Sequence, residues 1–111
     1  GYEKVVERLE TFLRTLRRHH PGVPIVVMSA NPYGNEWRQA GNRPRILAFQ
    51  KELVARLREN DPDVHLFDSS NLLGDDFYEC SVDGSHPTDL GFQRMADGLA
   101  PFLARLLKPG T

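Results

Sequence analysis

Two short aliphatic runs, each set between stretches of helical periodicity, constrain this chain more than any other feature. Val23-Pro24-Ile25-Val26-Val27-Met28 and Val64-His65-Leu66-Phe67 are rich in β-branched residues and too short for stable helices, so they predict strands. The first has no polar alternation, as in a parallel strand covered on both faces. Before it, residues 2–20 place Val5, Val6, Leu9, Phe12, Leu13 and Leu16 on one 3.6-residue stripe. Between the two runs, residues 43–60 put Ile46, Leu47, Phe49, Leu53, Val54 and Leu57 on one helical face. Pro44 fits the first turn of that helix, where a missing N–H is no loss. Pro21-Gly22 and Asp61-Pro62-Asp63 break the two helices. Asp68-Ser69-Ser70-Asn71-Leu72-Leu73 predicts a capped helical turn, and an acidic loop runs on to Pro87. A last helix over residues 88–107 is expected to bury Leu90, Met95, Leu99, Phe102, Leu103, Leu106 and Leu107.

The order helix, strand, helix, strand, helix predicts an α/β fold with parallel strands and right-handed crossovers. Two strands are few for such a sheet and would leave apolar helix faces uncovered. The chain begins at Gly1, and its methionines, Met28 and Met95, both fall inside expected elements. We therefore expect residues 1–111 to be a single partial domain, the C-terminal half of a larger one, with further strands upstream. Alone, it should be marginally stable, prone to aggregate and catalytically silent.

Lys and Arg number 14 against 15 Asp and Glu, a net charge of −1. That balance gives no electrostatic reason to expect nucleic acid or an anionic membrane surface as a partner. No apolar run approaches the roughly 20 residues a membrane helix needs. The lone cysteine, Cys80, excludes an internal disulfide.

In open α/β sheets, ligands bind beyond the C-terminal ends of the strands. Residues 30–43 and 68–87 leave such ends, and the second segment contains Asp83-Gly84-Ser85-His86-Pro87. A serine hydrolase needs an imidazole to take the serine proton and a carboxylate to fix its tautomer. Asp83 and His86 can meet in one turn if Gly84 permits it, with Thr88 or Asp89 capping the helix behind. On spacing alone, the pair could equally brace a loop. The other loop, Asn31-Pro32-Tyr33-Gly34-Asn35-Glu36-Trp37, offers Asn31, Tyr33 and Trp37 to a sugar or acyl group by hydrogen bonding and stacking. A self-packed surface loop anchored on Trp37 fits as well. His19 and His20 are expected to meet helix-end carbonyls or solvent, His65 to be structural, and Arg14, Arg17 and Arg18 to form a solvated face. Neither Cys80, Asp83 and His86 nor Asp75, Asp76, Glu79 and Asp83 follow a zinc or calcium ligand spacing. No metal or cofactor is expected.

The stretch Asp83-Gly84-Ser85-His86-Pro87-Thr88-Asp89-Leu90-Gly91-Phe92-Gln93-Arg94-Met95-Ala96-Asp97 closely resembles the last sequence block of SGNH (GDSL-like) hydrolases. Leu73-Gly74-Asp75-Asp76 adds to the likeness, whose specific part runs from about Leu72 to Leu99. The resemblance implies the C-terminal part of a flavodoxin-like, three-layer parallel-sheet fold. It also implies that Asp83 and His86 are two members of a catalytic triad. The family's nucleophile lies in a Gly-Asp-Ser block, and two middle blocks supply its oxyanion glycine and asparagine. None is recognisable here. Ser29, Ser69, Ser70, Ser81 and Ser85 stand outside any such block, and Asn31 is a pocket-lining residue at most. The implied parent is a metal-independent esterase acting through an acyl-enzyme on small acyl esters, plausibly acetyl groups on carbohydrate. Acyl transfer to an acceptor other than water uses the same residues. An inactive binding or structural module, or half of a split enzyme whose partner chain docks along the strand edge, are the other readings.

Overall fold

The computed structural model describes residues 2–32 and 41–107. Helix α1 spans Tyr2–His19, strand β1 Ile25–Met28, helix α2 Asn42–Leu57, strand β2 Val64–Phe67 and helix α3 Asp89–Leu106. A four-residue 3-10 helix, Phe77–Cys80, precedes α3. The strands pair in parallel, Ile25 opposite Val64 through Met28 opposite Phe67, with α2 as the connecting helix. The architecture is α/β. By chain contacts the described residues form two compact units, residues 2–29 with 41–67 and residues 30–32 with 68–107.

In the first unit, Leu13 of α1 meets Leu53 and Val54 of α2 and Ile25, Val27 and Val64 of the strands. Leu9, Leu16, Phe49, Leu57 and Leu66 close around this core. Burial along β1 alternates: Ile25 and Val27 are buried, Val26 and Met28 half-buried. The expected two-sided cover is therefore seen on one face only. The strand also begins two residues later than the run predicts, because Pro24 brings no N–H to a ladder and Val23 is exposed.

The stripe on α1 is narrower than its composition suggests. Leu9, Leu13 and Leu16 lie at its centre and reach the core, whereas Val6 and Phe12 lie at its margins and are exposed, Phe12 by 59%. Arg17 departs further from expectation. Its Nε donates to Asp61 Oδ2 at 2.7 Å, and Nη1 donates to the carbonyls of His20 and Val23 at 3.0 and 2.6 Å. Nη2 reaches the Asp63 carbonyl at 3.3 Å. One guanidinium thus joins the end of α1, the entry to β1 and the turn before β2. Its fork of donors suits several acceptors at once. His65 lies in β2 with Nε2 3.0 Å from Asp63 Oδ1 and Nδ1 3.1 Å from the Arg58 guanidinium. His19 Nδ1 lies 2.9 Å from the Thr15 carbonyl, one helical turn back.

In the second unit, the expected helical turn at Asp68–Leu73 is a pair of tight turns: Leu72 N donates to Ser69 O, and Gly74 N to Asn71 O. The Asp68 carboxylate accepts from Ser70 N at 2.9 Å, the short-range capping that Asx residues favour. The expected buried side of α3 is incomplete: Met95, Leu99, Phe102, Leu103 and Leu106 are half-buried, while Leu90 and Leu107 are exposed.

Leu53 is fully buried at the centre of the first unit. Leu53→Ala should cost about 2–5 kcal/mol through lost burial and a residual cavity. Phe12→Ala, at the exposed margin, should change stability by no more than about 0.5 kcal/mol. Urea unfolding with unchanged m-values checks both.

Candidate active site

Asp83 and His86 are carried by a closed loop. Ser81 and Pro87 form an antiparallel bridge, and Val82 N donates to His86 O at 2.8 Å. One step outside, Thr88 N donates to Cys80 O at 2.9 Å. Gly84 turns the chain inside this closure with φ of 87°, a left-handed conformation that glycine adopts without steric cost.

Asp83 organises the interior. Its Oδ1 accepts the backbone N–H of Ser85 at 2.9 Å and of His86 at 2.8 Å. Its Oδ2 lies 2.6 Å from His86 Nδ1. The N–H of His86 first, then its imidazole, then the N–H of Ser85 hold the Asp83 carboxyl down at about 2, against an ordinary 3.8. The carboxylate is therefore ionised and acceptor-only near neutral pH. Nδ1 must carry the proton it shares with Oδ2, which leaves Nε2 of the neutral ring with its lone pair. Both side chains are open to solvent, His86 by 78% and Asp83 by 54%. Chemically, this arrangement is a base presented outward on a ring whose tautomer and direction are set from behind.

The loop is fastened to α3 at its first turn. Thr88 caps the helix: its hydroxyl accepts from Gly91 N at 3.2 Å and donates to Glu79 O at 3.2 Å. Gly91 is buried where a Cβ would stand 2.5 Å from the Cys80 carbonyl and 3.2 Å from Pro87 Cβ. Only glycine lets the helix start this close to the residue from which the loop departs. Further along α3, Arg94 reaches back to the Leu73 carbonyl and the Asp76 carboxylate.

Of the five residues singled out from sequence, Asp83 and His86 are in direct contact. Asn31 is half-buried just beyond β1. Tyr33 and Trp37 lie outside the described residues. Among the described residues, no three His, Cys, Asp or Glu side chains gather as a metal-holding group. The 3-10 helix, the Ser81–Pro87 bridge and the contacts of Arg94 are not foreseen from the sequence. The charged Arg94 within the last sequence block was the one available signal.

Because the folded Asp83 carboxyl titrates below its ordinary value, it stabilises the folded loop above about pH 3.8 and loses that contribution as pH falls through about 2. Carboxyl NMR should find the Asp83 midpoint near 2. In His86→Ala it should rise only part of the way, because the backbone N–H donors remain. A full return to 3.8 would show that the imidazole alone sets the shift.

The model of the GDSL-like lipase/acylhydrolase family matches residues 1–104. No curated protein sequence matches the chain. A solved structure from Bacteroides ovatus ATCC 8483, described as a GDSL-like lipase, is similar to it with 31% identity and a TM-score of 0.87. That match covers 97% of this chain and 33% of the solved one, so this chain spans about a third of its length. Its helices and two-stranded parallel sheet correspond to part of that hydrolase fold. By the match over nearly its whole length, the chain belongs to the GDSL-like lipase/acylhydrolase family.

Proposed function

We propose that this chain supplies the acid–base half of a serine acyl hydrolase, with His86 as the catalytic base and Asp83 as the carboxylate that orients it. The observation that carries the reading is the 2.6 Å contact between His86 Nδ1 and Asp83 Oδ2, with the carboxylate itself fixed by two backbone N–H groups. A carboxylate merely bracing a turn needs only its backbone partners. Here the second oxygen is committed to Nδ1 of the ring, which leaves Nε2 as the nitrogen available to an incoming group.

In the proposed reaction, Nε2 takes the proton from a serine hydroxyl as its oxygen attacks the ester carbonyl. The tetrahedral intermediate then expels the alcohol, to which His86 returns that proton, leaving an acyl-serine. Water repeats the sequence, with Nε2 taking its proton and returning it to the serine as the acid departs. Asp83 stays ionised throughout and stabilises the imidazolium formed twice in each cycle.

The serine is a residue outside residues 1–111, upstream or on a partner chain. Ser29 and Ser69 are buried, Ser70 lies in the tight turn after β2 with its N–H on Asp68, Ser85 lies inside the dyad turn with its N–H on Asp83, and Ser81 is part of the bridge that closes the loop. Residues 1–111 would then be one part of a larger hydrolase domain. Small acyl esters are the proposed substrates, with acetyl groups on carbohydrate as the narrower reading and Asn31, Tyr33 and Trp37 as candidates to line the pocket.

In the complete protein, His86→Ala should lower kcat on a small acyl ester by roughly three orders of magnitude or more while leaving the unfolding transition near wild type. A fluorophosphonate probe should label the complete protein and lose that labelling in the variant. Near-normal turnover in His86→Ala would overturn the assignment. Absence of labelling in the complete wild-type protein would favour a binding or structural role.

A further inference from the structure

The Asp83–His86 loop leaves its scaffold at Cys80 and rejoins it at Thr88, so its geometry is inherited from those two residues. Thr88 is the cap of α3, its hydroxyl accepting from Gly91 N in the first turn. Cys80 lies at the end of the 3-10 helix, where its carbonyl accepts from Thr88 N and its thiol reaches the Leu73 carbonyl at 3.8 Å, but residues 73–79 before it meet that cap only through the Glu79 carbonyl. Arg94 supplies a further hold. Its Nη1 donates to the Leu73 carbonyl at 2.6 Å and to Asp76 Oδ1 at 2.5 Å, and lies 3.5 Å from the buried Cys80 sulfur. Its Nη2 reaches Asp76 Oδ2 at 3.3 Å. Hydrogen bonding to Arg94 holds the Asp76 carboxyl below its ordinary range. One side chain on α3 thereby grips the beginning, middle and end of residues 73–80.

We propose that Arg94 is a positioning residue for the Asp83–His86 pair, clamping residues 73–80 onto α3 so that Cys80 delivers the loop at a fixed place and angle. The proposal rests on the catalytic reading of that pair. Arg94 is one turn along α3 from Gly91, the glycine that admits the Cys80 carbonyl. Gly91 allows close approach, and Arg94 holds the approaching segment in register. The grip depends on the planar fork of a guanidinium, which engages a carbonyl and a carboxylate together; a lysine ammonium offers no such fixed spread of donors. Loss of the clamp lets Cys80 drift, and the imidazole drifts with the loop.

The test uses the complete protein and a small acyl ester. Arg94→Met should lower kcat by roughly 10- to 100-fold with KM within about threefold, since a misplaced base loses turnover rather than binding. Arg94→Lys should recover part of that loss. Asp76→Asn should lose less than Arg94→Met, and Arg105→Met, a control further along α3, should match wild type. Thermal unfolding of each variant accompanies the kinetics.

A folded Arg94→Met with wild-type kcat overturns the proposal. So does equal loss in the Lys and Met variants that merely tracks loss of stability. Should Arg94→Met fail to fold, Arg94→Lys and Asp76→Asn decide the matter, and wild-type kcat in both overturns the clamp. His86→Ala in the same assay separates the two levels. If it retains turnover, the catalytic reading falls and the positioning role with it; if it is inactive while Arg94→Met is unimpaired, only the positioning role falls.

Discussion

Asp83 divides its two oxygens between two tasks. Oδ1 takes the N–H groups of Ser85 and His86, which shapes the turn, and Oδ2 takes His86 Nδ1, which aims the ring. The turn that brings His86 back within reach of the carboxylate is itself built on that carboxylate, so loop conformation and ring orientation cannot vary independently. Ionisation ties them closer, because a charged carboxylate strengthens all three contacts and has no proton with which to reverse the polarity of the Nδ1 bond. In an exposed loop, where single ion pairs contribute little, this shared dependence keeps the arrangement in one form.

The loop borrows rigidity from α3 by close approach rather than by bulk. Gly91 removes a side chain where the Cys80 carbonyl must sit, and the Thr88 hydroxyl serves the helix and the 3-10 segment with one oxygen. The dyad loop is then short, bridged at its base and continuous with the helix cap. Placing two side chains on such a closure, rather than on a long free loop, limits the conformations open to them.

What was legible in the sequence was local. Asp83, Gly84 and His86 fall within four positions, so a single turn suffices to pair them, and the residue that permits the turn is visible between them. Strand β2 was recoverable because Val64–Phe67 is bounded by breakers, and α3 because Thr88 announces its start. Features that depend on distant partners left no such trace. Arg17 sits among other basic residues of α1, yet its carboxylate partner lies 44 residues away. Phe12 has the right period for the core but the wrong angle, a distinction of tens of degrees that a stripe of apolar residues does not reveal. The 3-10 helix at Phe77–Cys80 is shorter than any period that could announce it. Of the candidate pocket residues, Asn31 is half-buried, and Tyr33 and Trp37 lie outside the described residues.

The loop holds the His86 imidazole with its proton on Nδ1 and its lone pair on Nε2. Long-range proton–nitrogen correlation NMR of the imidazole in the complete protein, under conditions where the ring is neutral, reads this directly. A protonated Nδ1, hydrogen-bonded to Asp83, and an unprotonated Nε2 in a single tautomer are expected. A ring protonated on Nε2, or one averaging between the two forms, would contradict this arrangement.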